Sequence, residues 1–115
     1  MRGGALAGQS LLLAFAAAVA FEAGAQASAG ATAFKEVCAV CHGPKGEGMN
    51  MLGPPLKGSP FLKTASPDDI KSLIKYGRTG KDKRYPQIPA GMPAQAVSDA
   101  EMEALIPFIK NELQK

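Results

Sequence analysis

Histidine occurs once in the 115 residues, cysteine twice and tryptophan not at all. Three Cys and His side chains are too few for a four-ligand zinc site. Aromatics are sparse, five Phe and two Tyr. Tyr76 and Tyr85 are the only aromatics close to the main run of basic residues, and no nucleic-acid-binding motif accompanies them. Nucleic acid is therefore not an expected partner. Sustained apolar–polar alternation is missing, which removes the signal for a sheet, and no internal repeat is visible.

Long apolar runs are also missing, with one short exception. Leu11 to Phe21 is an uninterrupted apolar run of 11 residues. That is signal-peptide length and falls short of the ~20 residues that a membrane helix needs. Arg2 precedes it, and Ala23-Gly24-Ala25 supplies a small-x-small cleavage pattern, with a cut after Ala25 or Ala27. Residues 1–25 read as a cleaved export signal, or alternatively as an uncleaved anchor. Residues 26–115 then form one domain of 90 residues, with no stable membrane span expected after cleavage. Arg2 and Glu22 leave together, so the net charge of +3 is unchanged.

Within the domain, Ala29 to Val40 predicts a short helix. Gly43 to Pro60 is too rich in Gly and Pro for extended regular structure. Ser66-Pro67-Asp68-Asp69 is a helix start, with a Ser cap, Pro at the first position and acids in the first turn. Ile70, Leu73 and Ile74 give that helix one apolar face, and Gly77 ends it. Arg78 to Ala96 reads as a second long loop containing Pro86, Pro89 and Pro93. Ser98 to Glu101 is a capping box opening a last helix, with Met102, Leu105, Ile106, Ile109 and Leu113 at helical spacing. Pro107 lacks the donor that would bond to Glu103 and is expected to kink this helix. The prediction is a small all-α domain of three to four short helices with long loops.

The scarce residues are concentrated. Residues 38–42 read Cys-Ala-Val-Cys-His and hold both cysteines and the only histidine. C-x-x-C-H is the attachment pattern of a c-type haem: two thioether bonds from Cys38 and Cys41, and an axial imidazole from His42. A dithiol redox site shares the C-x-x-C spacing, but the βαβ pattern such a site needs is absent. With both cysteines in one motif, no disulfide framework can support a 90-residue core, which is small for self-sufficiency. A covalent haem would supply the apolar centre, and long loops would wrap it.

Iron bound by one histidine has a sixth position, commonly filled in such proteins by methionine sulfur. Met102 lies on the apolar face of the last helix and reads as core. Met49 and Met51 follow His42 by only 7 and 9 residues and read as loop or haem-edge residues. Met92, in Pro89-Ala90-Gly91-Met92-Pro93, is carried by a loop that two prolines stiffen and a glycine allows to approach closely. Met92 is the expected distal ligand.

These features together resemble the class I c-type cytochromes, the small monohaem bacterial type, over about Gly30 to Leu113. The resemblance implies one covalent haem c on Cys38 and Cys41, with His42 and Met92 as axial ligands. It also implies that a proline carbonyl braces the proximal imidazole. Gly53-Pro54-Pro55-Leu56 carries the corresponding segment, with Pro54 12 residues after His42. Such a bond fixes the ring and raises its basicity. The first and last helices of the family pack through a glycine and an aromatic residue, at the positions of Gly30 and Phe34 here, with Leu105 and Phe108 as plausible counterparts. The absent tryptophan removes any indole contact to a haem propionate, and Pro107 is unusual in that last helix.

Iron closed on both faces suits one-electron transfer rather than catalysis. The expected role is a periplasmic electron carrier. The alternative is a cytochrome subunit of a periplasmic dehydrogenase or other oxidoreductase complex. A haem enzyme or gas sensor with a labile Met92 is a third reading. Expected partners are redox proteins: a dehydrogenase, a cytochrome complex, or a terminal oxidase or reductase. Lys71, Lys75, Arg78, Lys81, Lys83 and Arg84 fall within 14 residues, with Asp82 as the sole acid. This stretch reads as a solvated face, a docking surface for an acidic partner, or a contact for haem propionates. Lys45 and Lys57 could add to steering.

Overall fold

The computed structural model describes residues 24–115. Residues 1–23, most of the segment read as an export signal, lie outside the described residues. The described chain folds into four helices joined by long loops. It contains no β-strand, and its only bridges are two isolated ones, Met49 with Gly53 and Arg78 with Met92.

Helix α1 runs through residues 24–42, longer than the sequence predicted at both ends. Its middle, Phe34–Cys38, is a π-helical turn closed by a bond from Ala39 N–H to the Phe34 carbonyl. Such wide turns are uncommon and cluster at functional sites. Here the turn lies between Phe34, buried in the core, and Cys38, on the wall of a cleft. Helix α2, Pro60–Thr64, was not expected from the sequence. Ser59 caps it by accepting from Leu62 N–H, and Pro60 occupies the first position.

Helix α3, Pro67–Tyr76, and helix α4, Asp99–Lys110, match the predicted starts. Both open with reciprocal capping boxes, Ser66 with Asp69 and Ser98 with Glu101. Gly77, at φ +72°, ends α3. Short 3₁₀ turns follow at Gly80–Asp82 and Glu112–Gln114.

Pro107 lies inside α4 without ending it: its carbonyl still accepts from Asn111 N–H at 2.9 Å. The ring is on the exposed side of the helix. The carbonyl deprived of a partner belongs to Glu103, and the Gln26 side chain of α1 reaches it at 3.5 Å. The proline's missing donor is thus partly replaced from another helix.

Helices α1 and α4 approach closely where Gly30 meets α4. A Cβ on Gly30 would lie 2.5 Å from the Ala104 carbonyl oxygen and 2.7 Å from Phe108 Cβ. Ala104 and Phe108 are therefore the direct partners of the glycine. Leu105 instead sits in the core with 0% exposure. The Phe34 and Phe108 rings stack in a tilted arrangement 5.6 Å apart. Phe34, Leu62, Ile70, Ile74, Ile106 and Ile109 join Leu105 and Met102 in one apolar cluster. Full burial of each such side chain contributes about 1.5–3 kcal/mol. Gln114 ties the chain end to the loop before α2, donating to the Leu56 carbonyl and accepting from Gly58 N–H.

Candidate functional site

The C-terminal turn of α1 carries Cys38, Cys41 and His42 onto one wall of a cleft. The cleft has an empty volume of about 1140 Å³ including its open mouth. That volume includes open solvent, so the fit to a large planar cofactor rests on the side chains that line the cleft. Its floor and sides are mostly apolar, from Leu56, Phe61, Leu73, Ile74 and Ile88.

His42 is the only buried polar residue among the described residues, 8% exposed. Its Nδ1 lies 2.8 Å from the Pro54 carbonyl oxygen. A carbonyl can only accept, so Nδ1 carries a proton and Nε2 is the nitrogen left for a ligand role. The bond requires the Gly53-Pro54 backbone to press against the end of α1. A Cβ on Gly53 would lie 2.5 Å from the Cys41 carbonyl oxygen and 3.1 Å from His42 Nδ1, so glycine is needed for the approach. Past His42, Gly48 N–H bonds to the His42 carbonyl at 2.7 Å. Glu47 accepts from Lys45 N–H at 2.7 Å and tightens the same loop.

Burial pushes the Cys38 thiol up to about 11, and neighbouring Cys41 adds to the rise. A reactive dithiol needs the opposite, a depressed thiol that supplies thiolate at neutral pH. Cys38 is therefore poorly suited to act as an attacking thiolate.

Met92 enters the same cleft from the loop between α3 and α4. Its backbone is pinned to Arg78 by two bonds, Arg78 N–H to Met92 O at 2.7 Å and Met92 N–H to Arg78 O at 2.8 Å. Gly77 allows this: any Cβ there would collide with the Met92 carbonyl and the Pro93–Ala94 backbone. Met102 is 3% exposed in the core. Met49 and Met51 are 41% and 59% exposed in the turn preceding Gly53 and do not line the cleft. The structure thus brings together Cys38, Cys41, His42, Pro54 and Met92, and leaves Met49, Met51 and Met102 elsewhere.

The basic stretch divides among different environments. Lys71 pairs with Asp99 at 3.6 Å on the surface. Arg78 and Arg84 stand 5.2 Å and 5.9 Å from the centre of the Phe61 ring, at the cleft wall. Lys83 turns inward to backbone carbonyls. Lys75 lies over its neighbour Tyr76, and Lys81 is exposed. Six basic residues within 14 positions do not form six equivalent surface charges, which spacing alone could not reveal.

The cytochrome c family model matches residues 27–112. This chain belongs to the cytochrome c family. Its cofactor is accordingly covalent haem c, and the Cys38-x-x-Cys41-His42 spacing suits its attachment.

Among curated proteins, the cytochrome c is 30% identical over 89 residues to the cytochrome c subunit of alcohol dehydrogenase (quinone) from Gluconobacter oxydans (strain 621H). That match covers 76% of this chain and 19% of the relative. The corresponding subunit of Gluconacetobacter polyoxogenes is 26% identical over 83 residues, covering 70% of this chain and 18% of its own length. A thiosulfate dehydrogenase electron acceptor from Stutzerimonas stutzeri (strain A1501) is 33% identical over 78 residues, covering 68% of this chain and 33% of the relative. The chain therefore spans about a fifth of the alcohol dehydrogenase subunits and a third of the thiosulfate dehydrogenase partner. No solved structure matches significantly. No described helix is long and apolar enough to cross a membrane.

Proposed function

We propose that this cytochrome c is an exported, periplasmic one-electron carrier whose haem c is held by Cys38 and Cys41 and ligated by His42 and Met92. The observation that carries this reading is the convergence of all four side chains on one largely apolar cleft. The bound haem would supply a single electron by cycling between ferric and ferrous iron. Cys38 and Cys41 fix its position covalently. His42 offers Nε2, with the ring orientation and basicity set by Pro54. Met92 offers a thioether from a loop pinned to Arg78. The apolar walls would limit water around the bound haem, and the braced His42 and pinned Met92 backbone would let the same two ligands serve both oxidation states. Arg78 and Arg84, at the cleft wall, suit the haem propionates. Lys75 and Lys81 lie outside and suit electrostatic steering of an acidic partner.

The names of the relatives favour a more specific role within this reading, in which the donor is a dehydrogenase and the cytochrome serves as its subunit or its diffusing acceptor. Residues 1–25 serve as the export signal and 26–115 as the haem domain.

The test is a redox titration of the holoprotein with covalency checked under denaturing conditions. A one-electron Nernst curve is expected, with haem that stays on the polypeptide in the parent. Cys38→Ser/Cys41→Ser should lose it on denaturation. Haem that leaves the unfolded parent would refute the attachment, and absence of a reversible one-electron wave would refute the carrier role.

A further inference from the structure

Between Lys83 and the Arg78–Met92 backbone pair, the loop that carries Met92 is held by turns. Ile88 N–H bonds to the Tyr85 carbonyl and Gly91 N–H to the Ile88 carbonyl, two successive turns leading directly to Met92. Three carbonyls of this loop converge on one ammonium. Lys83 Nζ lies 3.1 Å from the Ile88 oxygen, 3.4 Å from the Pro89 oxygen and 3.5 Å from the Pro86 oxygen. A lysine ammonium has three donors, and here each has a carbonyl within reach. Pro86 and Pro89 bring no N–H of their own, so the loop has fewer backbone donors than its length would suggest.

The stem of Lys83 contributes as well. A Cβ on Gly91, whose φ is +66°, would lie 2.9 Å from Lys83 Cγ and 3.1 Å from Cδ. The lysine therefore packs against the residue immediately before Met92 while its head holds the carbonyls upstream. Lys83 closes the 3₁₀ turn Gly80–Asp82 by donating its backbone N–H to Gly80 O, and among the described residues its ammonium forms no ion pair. Its charge is spent on the loop.

We propose that Lys83 is a positioning residue for Met92: its ammonium gathers the Pro86, Ile88 and Pro89 carbonyls and thereby fixes where the thioether stands in the cleft. This rests on the reading of Met92 as the distal ligand. Without the clamp the loop opens more often, and the sixth position of the iron becomes accessible to an external ligand.

The test uses ferric holoprotein and imidazole as the probe. Lys83→Ala should bind imidazole about tenfold more tightly than the parent, which is about 1.4 kcal/mol. Lys83→Arg, which keeps the charge and several donors, should return affinity to within about threefold of the parent, itself the smaller part of a 1.4 kcal/mol factor of ten. Lys63→Ala, which removes an exposed positive charge elsewhere, should behave as the parent. In the same Lys83→Ala protein, amide exchange at Gly91 should quicken about tenfold, matching the opening that imidazole reads. Equal imidazole affinity in parent and Lys83→Ala overturns the proposal, as does an equal rise in Lys63→Ala or unchanged Gly91 exchange. Met92→Ala separates this from the reading beneath it. If Met92→Ala leaves imidazole binding unchanged, the ligand assignment fails, and the Gly91 exchange rate still decides whether the clamp exists.

Discussion

Gly53→Ala isolates the contact on which the proximal side of the site depends. The new Cβ would stand 2.5 Å from the Cys41 carbonyl oxygen, where a carbon–oxygen contact settles at about 3.3–3.6 Å. The overlap is roughly 1 Å, and the obstructing atom belongs to the backbone of α1, which cannot rotate aside. The 53–54 segment must therefore retreat. It is bonded to Met49 in both directions, so the 49–53 turn moves with it, and Pro54 O withdraws from His42 Nδ1. Overpacking of this kind costs about 1–3 kcal/mol. Weakening the His42–Pro54 bond adds about 0.5–1.5 kcal/mol. Restricting the unfolded chain by replacing glycine offsets about 0.4–1 kcal/mol. The net loss is about 0.5–4 kcal/mol, against a stability that for small domains totals about 5–15 kcal/mol. A ring that loses its acceptor becomes a weaker donor to the metal, which favours the reduced iron. Guanidinium unfolding of the holoprotein and a redox titration measure both effects. Lower stability with a raised reduction potential is expected. A variant as stable as the parent, with unchanged potential, would refute the close approach of Gly53 to His42.

At the crossing of α1 and α4, Gly30→Ala sets helix propensity, which favours Ala by about 0.8–1.0 kcal/mol, against overpacking of about 1–3 kcal/mol. The Ala104 carbonyl at 2.5 Å makes the clash prevail, so denaturant unfolding should show a loss of up to about 2 kcal/mol. A stabilised variant would contradict the crossing. In the α4 capping box, the Ser98 backbone N–H and then the Ser98 hydroxyl hold the Glu101 carboxyl below its ordinary value. Its folded pKa is depressed, so the contribution of the charged form is full above the unfolded pKa and fades as pH falls through the folded one. Unfolding of parent and Glu101→Gln from neutral to acid pH should show the parent's advantage shrinking below about pH 4.3; an advantage that grows with acid would be the wrong sign.

Local rules made much of this chain legible. Ser66-Pro67 and Ser98 to Glu101 announce helix starts because capping involves residues only three apart. The fixed spacing of Cys38, Cys41 and His42 announces a cofactor because attachment chemistry imposes it. Met102 could be separated from Met92 because one lies in an apolar helical stripe and the other beside prolines. What escaped depends on contacts distant in sequence or on weak local signals. Helix α2 has five residues and follows a Gly- and Pro-rich segment, so no periodicity marks it. The π turn at Phe34–Cys38 reconciles a core phenylalanine with a cleft-facing cysteine, a demand visible only once both surroundings exist. Gln26 meets the Glu103 carbonyl 77 residues away. Lys83 reads as one of six similar cations until its carbonyl partners are seen.

The central claim is that iron in this cytochrome is closed on both faces, by His42 and Met92. Carbon monoxide binding to the ferrous holoprotein at neutral pH tests it most directly. The parent should not take up the gas on mixing, and Met92→Ala should bind it readily while keeping its haem. Rapid binding by the parent would contradict the claim, as would an opening produced by Met49→Ala or Met51→Ala and not by Met92→Ala.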